Sequence, residues 1–305
     1  MELGVYQEHN VFTPLQDNSF FFHSHDFVQY SDELTNFCWS LENKEGQVEG
    51  RICFSKRGSM AVSLLKSSFG SFELGEGITE DQLSYFVDQM LHKLKVKGFE
   101  KVQIISFPEI YNINQFKTID GVLSKFDFRT TEIYPNQYLP VNPQRNFFSL
   151  VKSEERRYLN RGKKLGFDFR RLDITSLPSA YDLIRNCRDD KGYKVSMTYK
   201  ELEQTILKFP DNYFIFGLFY QGQMIASSVC IKINRNILYD FYHGDDLNFR
   251  KHSPVVPLLE GIHMYAQYEN YQILDLGTSI EDGVFAFKKN LGAMVSEKVV
   301  FERCI

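Results

Sequence analysis

Long apolar runs are missing from this 305-residue sequence, and no stretch approaches the roughly eighteen apolar residues that a membrane span needs. The N-terminal stretch is polar and lacks the basic-then-apolar pattern of a secretion signal, so a soluble, cytoplasmic protein is expected. Cysteine pairing signals are missing too. The five cysteines (Cys38, Cys53, Cys187, Cys230 and Cys304) form an odd set without a C-x-x-C spacing. That argues against a zinc site or a disulfide framework and for reduced thiols. Positive charge is not in excess: the formal net charge is −4, which argues against dedicated nucleic-acid binding by the whole surface but leaves room for a local basic patch. Tryptophan is reduced to Trp39 against 28 Phe and 17 Tyr, so aromatic packing falls to the smaller rings. Sustained heptads are also lacking, so no coiled-coil arm is expected.

The first half reads as a meander followed by alternating helices and strands. An aromatic patch, Phe20 to Phe22, precedes a short helix expected over Asp26 to Glu33. Phe37, Trp39 and Leu41 alternate with polar or small residues, which is strand periodicity; Val48 to Ser55 and Met60 to Leu65 continue it. Thr79 caps an amphipathic helix whose Leu83, Phe86, Val87, Met90, Leu91 and Leu94 share one side, and Gly98 ends it. Val102 to Phe107 is an apolar strand, Glu109 to Lys125 a helix, and Phe126 to Pro140 one long or two short strands. A meander that ends in such a step implies a mixed sheet with helices packed on it.

The second half repeats the plan without a residue-level repeat. Ser153 opens the helix SEERRYLNRGKKLG, closed by Gly166, with Arg157, Arg161 and Lys164 on one face. Its acidic first turn and basic last turn complement the helix dipole; a phosphate-facing stripe is the alternative reading. A strand over Phe167 to Arg171 and helices over Ser179 to Asp189 and Tyr199 to Lys208 follow. Tyr213 to Phe219, Gln223 to Ile233 and Ile237 to Tyr242 form a three-strand meander. Next comes a helix in which Ser253 is a candidate cap and Pro254 the first helical residue. Val255, Leu258, Leu259, Ile262, Tyr265 and Ala266 form its apolar stripe. Gln272 to Leu276 is a short strand, and Ser279 with Asp282 reads as the capping pair of a last helix ending at Gly292.

These residues carry a family resemblance over about 150 to 300. The helix Arg156 to Gly166, Ala226 just past Gly222, and the aromatic strand Tyr239 to His243 are one part of it. The rest comprises Ser253-Pro254 opening a helix with Leu258-Leu259, the Asp275-Leu276-Gly277 end, and Phe287-Lys288-Lys289-Asn290-Leu291-Gly292-Ala293. Together they resemble the GNAT-like acyltransferase domain of the FemAB and CelD type, the fold also used by peptidoglycan interpeptide-bridge aminoacyltransferases. The resemblance implies an α/β protein with mixed sheets and two tandem GNAT-like units: a degenerate one over 1–145 and an acyltransferase unit over 146–305. Ser67-Ser68-Phe69-Gly70 is similar to a loop seen in such proteins. Implied too is transfer of an acyl or aminoacyl group, without metal, to an amine of a small or cell-envelope-related acceptor. The co-substrate would be an acyl-CoA or an aminoacyl-tRNA, the latter disfavoured by the missing coiled coil.

Acyl transfer to an amine needs a phosphate cradle, a group to stabilise the carbonyl oxygen and a route for the amine proton. The stretch matching the GNAT phosphate loop is Arg250-Lys251-His252-Ser253-Pro254-Val255, which keeps a helix start but has neither glycine of the Q/R-x-x-G-x-G/A pattern. Arg250, Lys251, Ser253 and Val255 are therefore the candidate donor-binding residues. His243, beside Asp245 and Asp246, is the general-base candidate, weighed against a polar strand cap. Tyr242 is a candidate hydrogen-bond donor to the leaving group, with core packing the favoured reading. Asp275, at a strand's carboxyl end, either orients an amine or caps the Gly277 turn. Arg157, Arg161 and Lys288 are candidates for an anionic acceptor. A non-catalytic tandem GNAT-like module that binds a ligand or partner is the alternative function.

Overall fold

The computed structural model describes residues 4–8, 15–16, 18–31 and 37–305. Two compact units divide the chain: 1–135 with 296–305, and 136–295. Glu33, the expected end of the first helix, lies outside the described residues.

In the first unit, β1 (Gly4–Glu8), β2 (Phe37–Glu42), β3 (Val48–Arg57) and β4 (Met60–Val62) pair antiparallel in succession. A two-residue β5 (Glu73–Leu74) adds to β3. β6 (Lys101–Ile105) runs parallel to β4, as a strand reached through a helical crossover must. The crossover contains α2 (Glu80–Val96), which follows a short α1 (His25–Ser31). Thr79 and Gln82 form a reciprocal capping box on α2, as the sequence predicts, and the six apolar side chains named above are all buried. A single 3₁₀ turn, Glu109–Tyr111, and then α3 (Ile113–Lys125) replace the one long helix expected from Glu109. Asn112 breaks them apart because its side chain caps α3 by accepting from the Gln115 N–H. The core is aromatic: Trp39, Phe54, Phe69, Phe72, Phe86 and Phe107 are all fully buried.

One expectation fails here. Cys38 and Cys53 face each other on β2 and β3, with Cα atoms 4.0 Å apart, and are joined in a disulfide. The pairing escapes a spacing rule because it is set by strand register across a hairpin. Cys187, Cys230 and Cys304 are free thiols.

β7 (Arg129–Pro140) is one continuous strand, and from residue 136 it belongs to the second unit. There follow α4 (Phe147–Leu150), α5 (Ser153–Leu165), β8 (Asp168–Leu172), α6 (Leu177–Asp190) and α7 (Tyr199–Lys208). The meander is β9 (Tyr213–Tyr220), β10 (Gln223–Lys232) and β11 (Ile237–Asp245). Then come α8 (Val255–Tyr268), β12 (Ile273–Thr278), α9 (Asp282–Asn290) and β13 (Met294–Cys304). The last strand pairs antiparallel with β6 through residues 300–304, inside the first unit.

Within the second unit the sheet order is β8-β9-β10-β11-β12-β7, antiparallel except for the β11–β12 pair. Leu258, Leu259, Ile262 and Ala266 of α8 join one core cluster with Leu159 of α5 and Phe216, Ala226 and Cys230 of the sheet. Burying each such aliphatic side chain is worth about 1.5–3 kcal/mol, which fixes α8 to the sheet more firmly than its helix propensity could. α6 lies against the other face, where Ser227 Oγ donates to the Ala180 carbonyl at 3.0 Å.

Two expected caps are not caps. Ser253 adopts a left-handed conformation, φ +47°, and α8 starts at Val255 without a side-chain cap. α9 starts at Asp282 without one either, because the Ser279 hydroxyl donates instead to Gln137 Oε1 at 2.7 Å.

Candidate functional site

The parallel pair β11–β12 is brief. Ile237, Leu238 and Tyr239 face Ile273, Leu274 and Asp275, and there the pairing stops, although β11 continues to Asp245 and β12 to Thr278. The two strands thus open into a wedge at their carboxyl ends, where open α/β sheets receive ligands.

On its other side β11 stays paired with β10, but the register slips: Cys230 faces Asp240, Val229 faces Tyr242, and Phe241 is left opposite no residue. This is a β-bulge. Its consequence is specific. In a regular strand Asp240 and His243, three residues apart, would point to opposite faces. The extra residue turns both to the face shared by Ser228 and Cys230. There Asp240 accepts from Ser228 Oγ and meets His243 Nδ1, each at 2.6 Å. Burial alone would raise the Asp240 carboxyl, but the His243 ring and the Ser228 hydroxyl outweigh it and hold it below the usual carboxylate range. An ionised carboxylate makes Nδ1 the donor, so Nε2 carries the lone pair. The His243 side chain keeps 29% of its surface exposed.

The β12 side of the wedge is held as firmly. Asp275 is buried and accepts at 2.7 Å from both Asn136 Nδ2 and the Gly277 N–H. Gly277 sits at φ +76°, and a Cβ there would stand 3.2 Å from the Tyr239 ring, so the turn suits glycine. From α9, Lys288 donates to the carbonyls of Gly277 and Thr278 at 2.9 and 3.0 Å. Only 4% of Lys288 is exposed. Burial pulls its pKa down to about 8, against the attraction of Asp275 and Asp240 and with the repulsion of Arg188. A buried lysine whose pKa is lowered this far is the kind of perturbed group that sites binding or moving charge contain.

The start of α8 is a poorer anion cradle than the sequence reading allows. Pro254 and Pro257 carry no N–H, the Ser253 N–H donates to Arg250 at 2.9 Å, and the Val256 N–H donates to Ser253 at 3.0 Å. Among the described residues, the first turn of α8 therefore offers an uncommitted N–H only at Val255. Arg250 is drawn off as well: it bonds Asp190 at 2.7 Å and lies 3.7 Å from Asp245. Cations do gather nearby. Arg161 donates to the Lys251 carbonyl at 3.2 Å, and His252 lies close enough to both that burial, Lys251 and Arg161 all lower its pKa.

The remaining candidates lie apart from these groups. Arg157 is exposed and pairs with Glu154 at 3.6 Å. Tyr242 points to the α6 face, buried, its hydroxyl bonded to Ser196 and its ring 4.9 Å from the Arg188 guanidinium. Sequence reasoning passed over Asp240, Ser228 and Asn136. The signal for Asp240 was available as a lone carboxylate inside the apolar run of β11.

Neither a family model nor a curated protein matches the chain. Solved structures do. FemX superposes over 98% of this chain and 97% of its own, with a TM-score of 0.74 at 12% identity. L-PGS from Bacillus licheniformis gives 0.57 at 12% identity, over 85% of this chain and 82% of its own. A tandem GNAT protein from the clavulanic acid biosynthesis pathway gives 0.50 at 9% identity, over 88% and 82%. The mixed α/β fold is that of FemX and of tandem GNAT-like proteins. Among the described residues, no helix is long and apolar enough to cross a membrane.

Proposed function

We propose that the chain is an N-acyltransferase that moves an acyl or aminoacyl group from an activated donor to an amine by direct attack in the wedge between β11 and β12. The observation that carries this reading is the bulge that sets His243 on Asp240 where the two strands part. The amine nitrogen bonds to the acyl carbon, and its proton passes to His243 Nε2 while Asp240 stabilises the resulting imidazolium. The donor's thiolate or ribose oxygen leaves and takes a proton back from His243. Phe241 has no residue opposite it on β10 or β12, and its main-chain N–H would be the group that stabilises the carbonyl oxygen as charge develops there.

Lys288 spends two of its three N–H bonds on the carbonyls at the end of β12, and the third would meet an anionic group of the acceptor. Asp275 would orient the attacking neutral amine by accepting one of its N–H bonds, leaving the nitrogen lone pair toward the acyl carbon. Tyr242 makes no contact with the reacting atoms in this scheme, and Arg157 serves only as distant positive charge. Lys251 and Arg161 would hold donor phosphates largely by side-chain charge, since α8 contributes little beyond the Val255 N–H. Both an acyl-CoA and an aminoacyl-tRNA carry such phosphates. An acceptor of the small or cell-envelope-related kind is what the family resemblance of the sequence implies.

The test is binding and transfer together. Acetyl-CoA, longer acyl-CoAs and aminoacyl-tRNA are titrated separately by calorimetry, then supplied with amine acceptors while free thiol or deacylated tRNA is followed. His243→Gln should keep donor binding and lose turnover by about 10²–10⁴-fold. No heat and no transfer from any donor would refute the enzyme reading. The second reading, a non-catalytic ligand-binding module, draws on the scarcity of main-chain donors at α8. It would be favoured by donor binding in a wild type that transfers nothing to any member of a broad acceptor panel.

A further inference from the structure

β8 is the end strand of the second unit's sheet: it pairs with β9 along one side, and among the described residues nothing pairs with the other. Its residues Asp168, Arg170 and Arg171 are exposed. Beside it lies a groove of about 510 Å³ whose lining includes Phe169, Leu218, Gly261, Met264, Tyr265 and Tyr268. Met264 and Tyr268 stand one turn apart on α8, 61% and 83% exposed. An open strand edge next to an exposed apolar stripe is a surface that proteins ordinarily cover or blunt.

We infer that a second copy of this chain covers it, through antiparallel pairing of β8 with the β8 of its partner about a two-fold axis at Phe169. The charge pattern selects that register. Centring the axis on Asp168, Arg170 or Arg171 sets like charges directly opposite each other. Centring it on Phe169 sets Asp168 opposite the partner's Arg170, twice over, and Arg171 opposite the partner's Phe167. Opposite-charge and aromatic cross-strand pairs stabilise such ladders, and like charges destabilise them. The faces agree as well. Phe169 stacks on Phe216, and Arg171 lies 4.8 and 5.7 Å from the Phe214 and Tyr265 rings, so both sit on the α8 face beside Met264 and Tyr268. The pairing is self-complementary, as a two-fold interface requires.

Sedimentation equilibrium of the full chain tests this. The wild type should sediment at twice its 35.7 kDa. Asp168→Arg and Arg170→Asp, each alone, set like charges opposite and should weaken association roughly tenfold or more. The double variant D168R/R170D restores both cross pairs and should recover the dimer. Because Asp168 and Arg170 already pair within one strand, the double variant keeps that contact too, and circular dichroism confirms that each variant is folded. A wild type that stays monomeric at about 100 µM, well above a micromolar-range dimer constant, overturns the proposal and leaves the groove to another occupant. So does a double variant that fails to recover association.

Discussion

Replacing Lys288 with methionine isolates one electrostatic cost in the wedge. The ammonium is almost fully buried, and its pKa falls from 10.5 to about 8. Between those two pH values the unfolded chain binds a proton that the folded chain does not, so stability rises with pH across this window. Below pH 8 both states hold the proton, and the folded state bears the full penalty. A shift of about 2.5 units corresponds to roughly 3 kcal/mol, of which roughly 2.5 kcal/mol is relieved between pH 7 and pH 10. Tyrosines and thiols titrate in the same range, so the quantity to measure is the difference between wild type and Lys288→Met in urea unfolding at the two pH values. The wild type should gain roughly 2.5 kcal/mol on the variant as pH rises. At pH 7 the comparison is closer, because methionine also leaves the Gly277 and Thr278 carbonyls without their donor, at about 1 kcal/mol each. Equal pH slopes in the two proteins, or a Lys288 Nζ resonance titrating near the ordinary lysine value, would refute the assignment.

Further outcomes follow from other elements. Asp240→Asn removes the negative charge that fixes the imidazole and exchanges one accepting oxygen for a donating NH2, so nitrogen NMR should find neutral His243 protonated at Nδ1 in the wild type and as a tautomer mixture in the variant. Gly292→Ala places a Cβ at φ +86° only 2.6 Å from the Leu150 carbonyl oxygen, and should cost about 2–4 kcal/mol in urea unfolding. Thr79→Ala opens the α2 capping box, at about 1 kcal/mol by the same measurement. Thiol titration of the unreduced, denatured chain should count three reactive cysteines rather than five, and in the native protein Cys304 should react first.

Element identity was legible wherever one period dominated. The apolar stripes of α2 and α8, the capped start of α2 and the alternating strands of the meander all follow from local pattern. So does α5, which ends at Gly166 in the left-handed conformation. What escaped was set by partners distant in sequence. Ser279 is a sound cap on local grounds, yet it donates to Gln137, 142 residues away. Cys38 and Cys53 join because two strands settle in one register, which no spacing reveals. The prolines at 254 and 257 were visible, but their effect depends on where α8 begins, and that was misplaced by one residue because Ser253 turns left-handed instead of capping.

The wedge shows why a site can be half legible. His243 stood out by chemistry, as an imidazole at the end of an aromatic strand. Asp240 did not, because strand parity sends residues three apart to opposite faces and so rules the pair out. Only the slip opposite Val229 and Cys230 brings them together. The bulge and the dyad therefore depend on one another. The slip costs a ladder position, and the buried Asp240 carboxylate is tolerable only because Ser228 and His243 both reach it. Inserting one residue between Val229 and Cys230 would give Phe241 a partner on β10, restore regular pairing and send Asp240 and His243 to opposite faces. The prediction is a folded chain in which the imidazole no longer shows the tautomer bias of the wild type. Retention of that bias in the insertion variant would mean that the carboxylate, and not the bulge, sets the geometry.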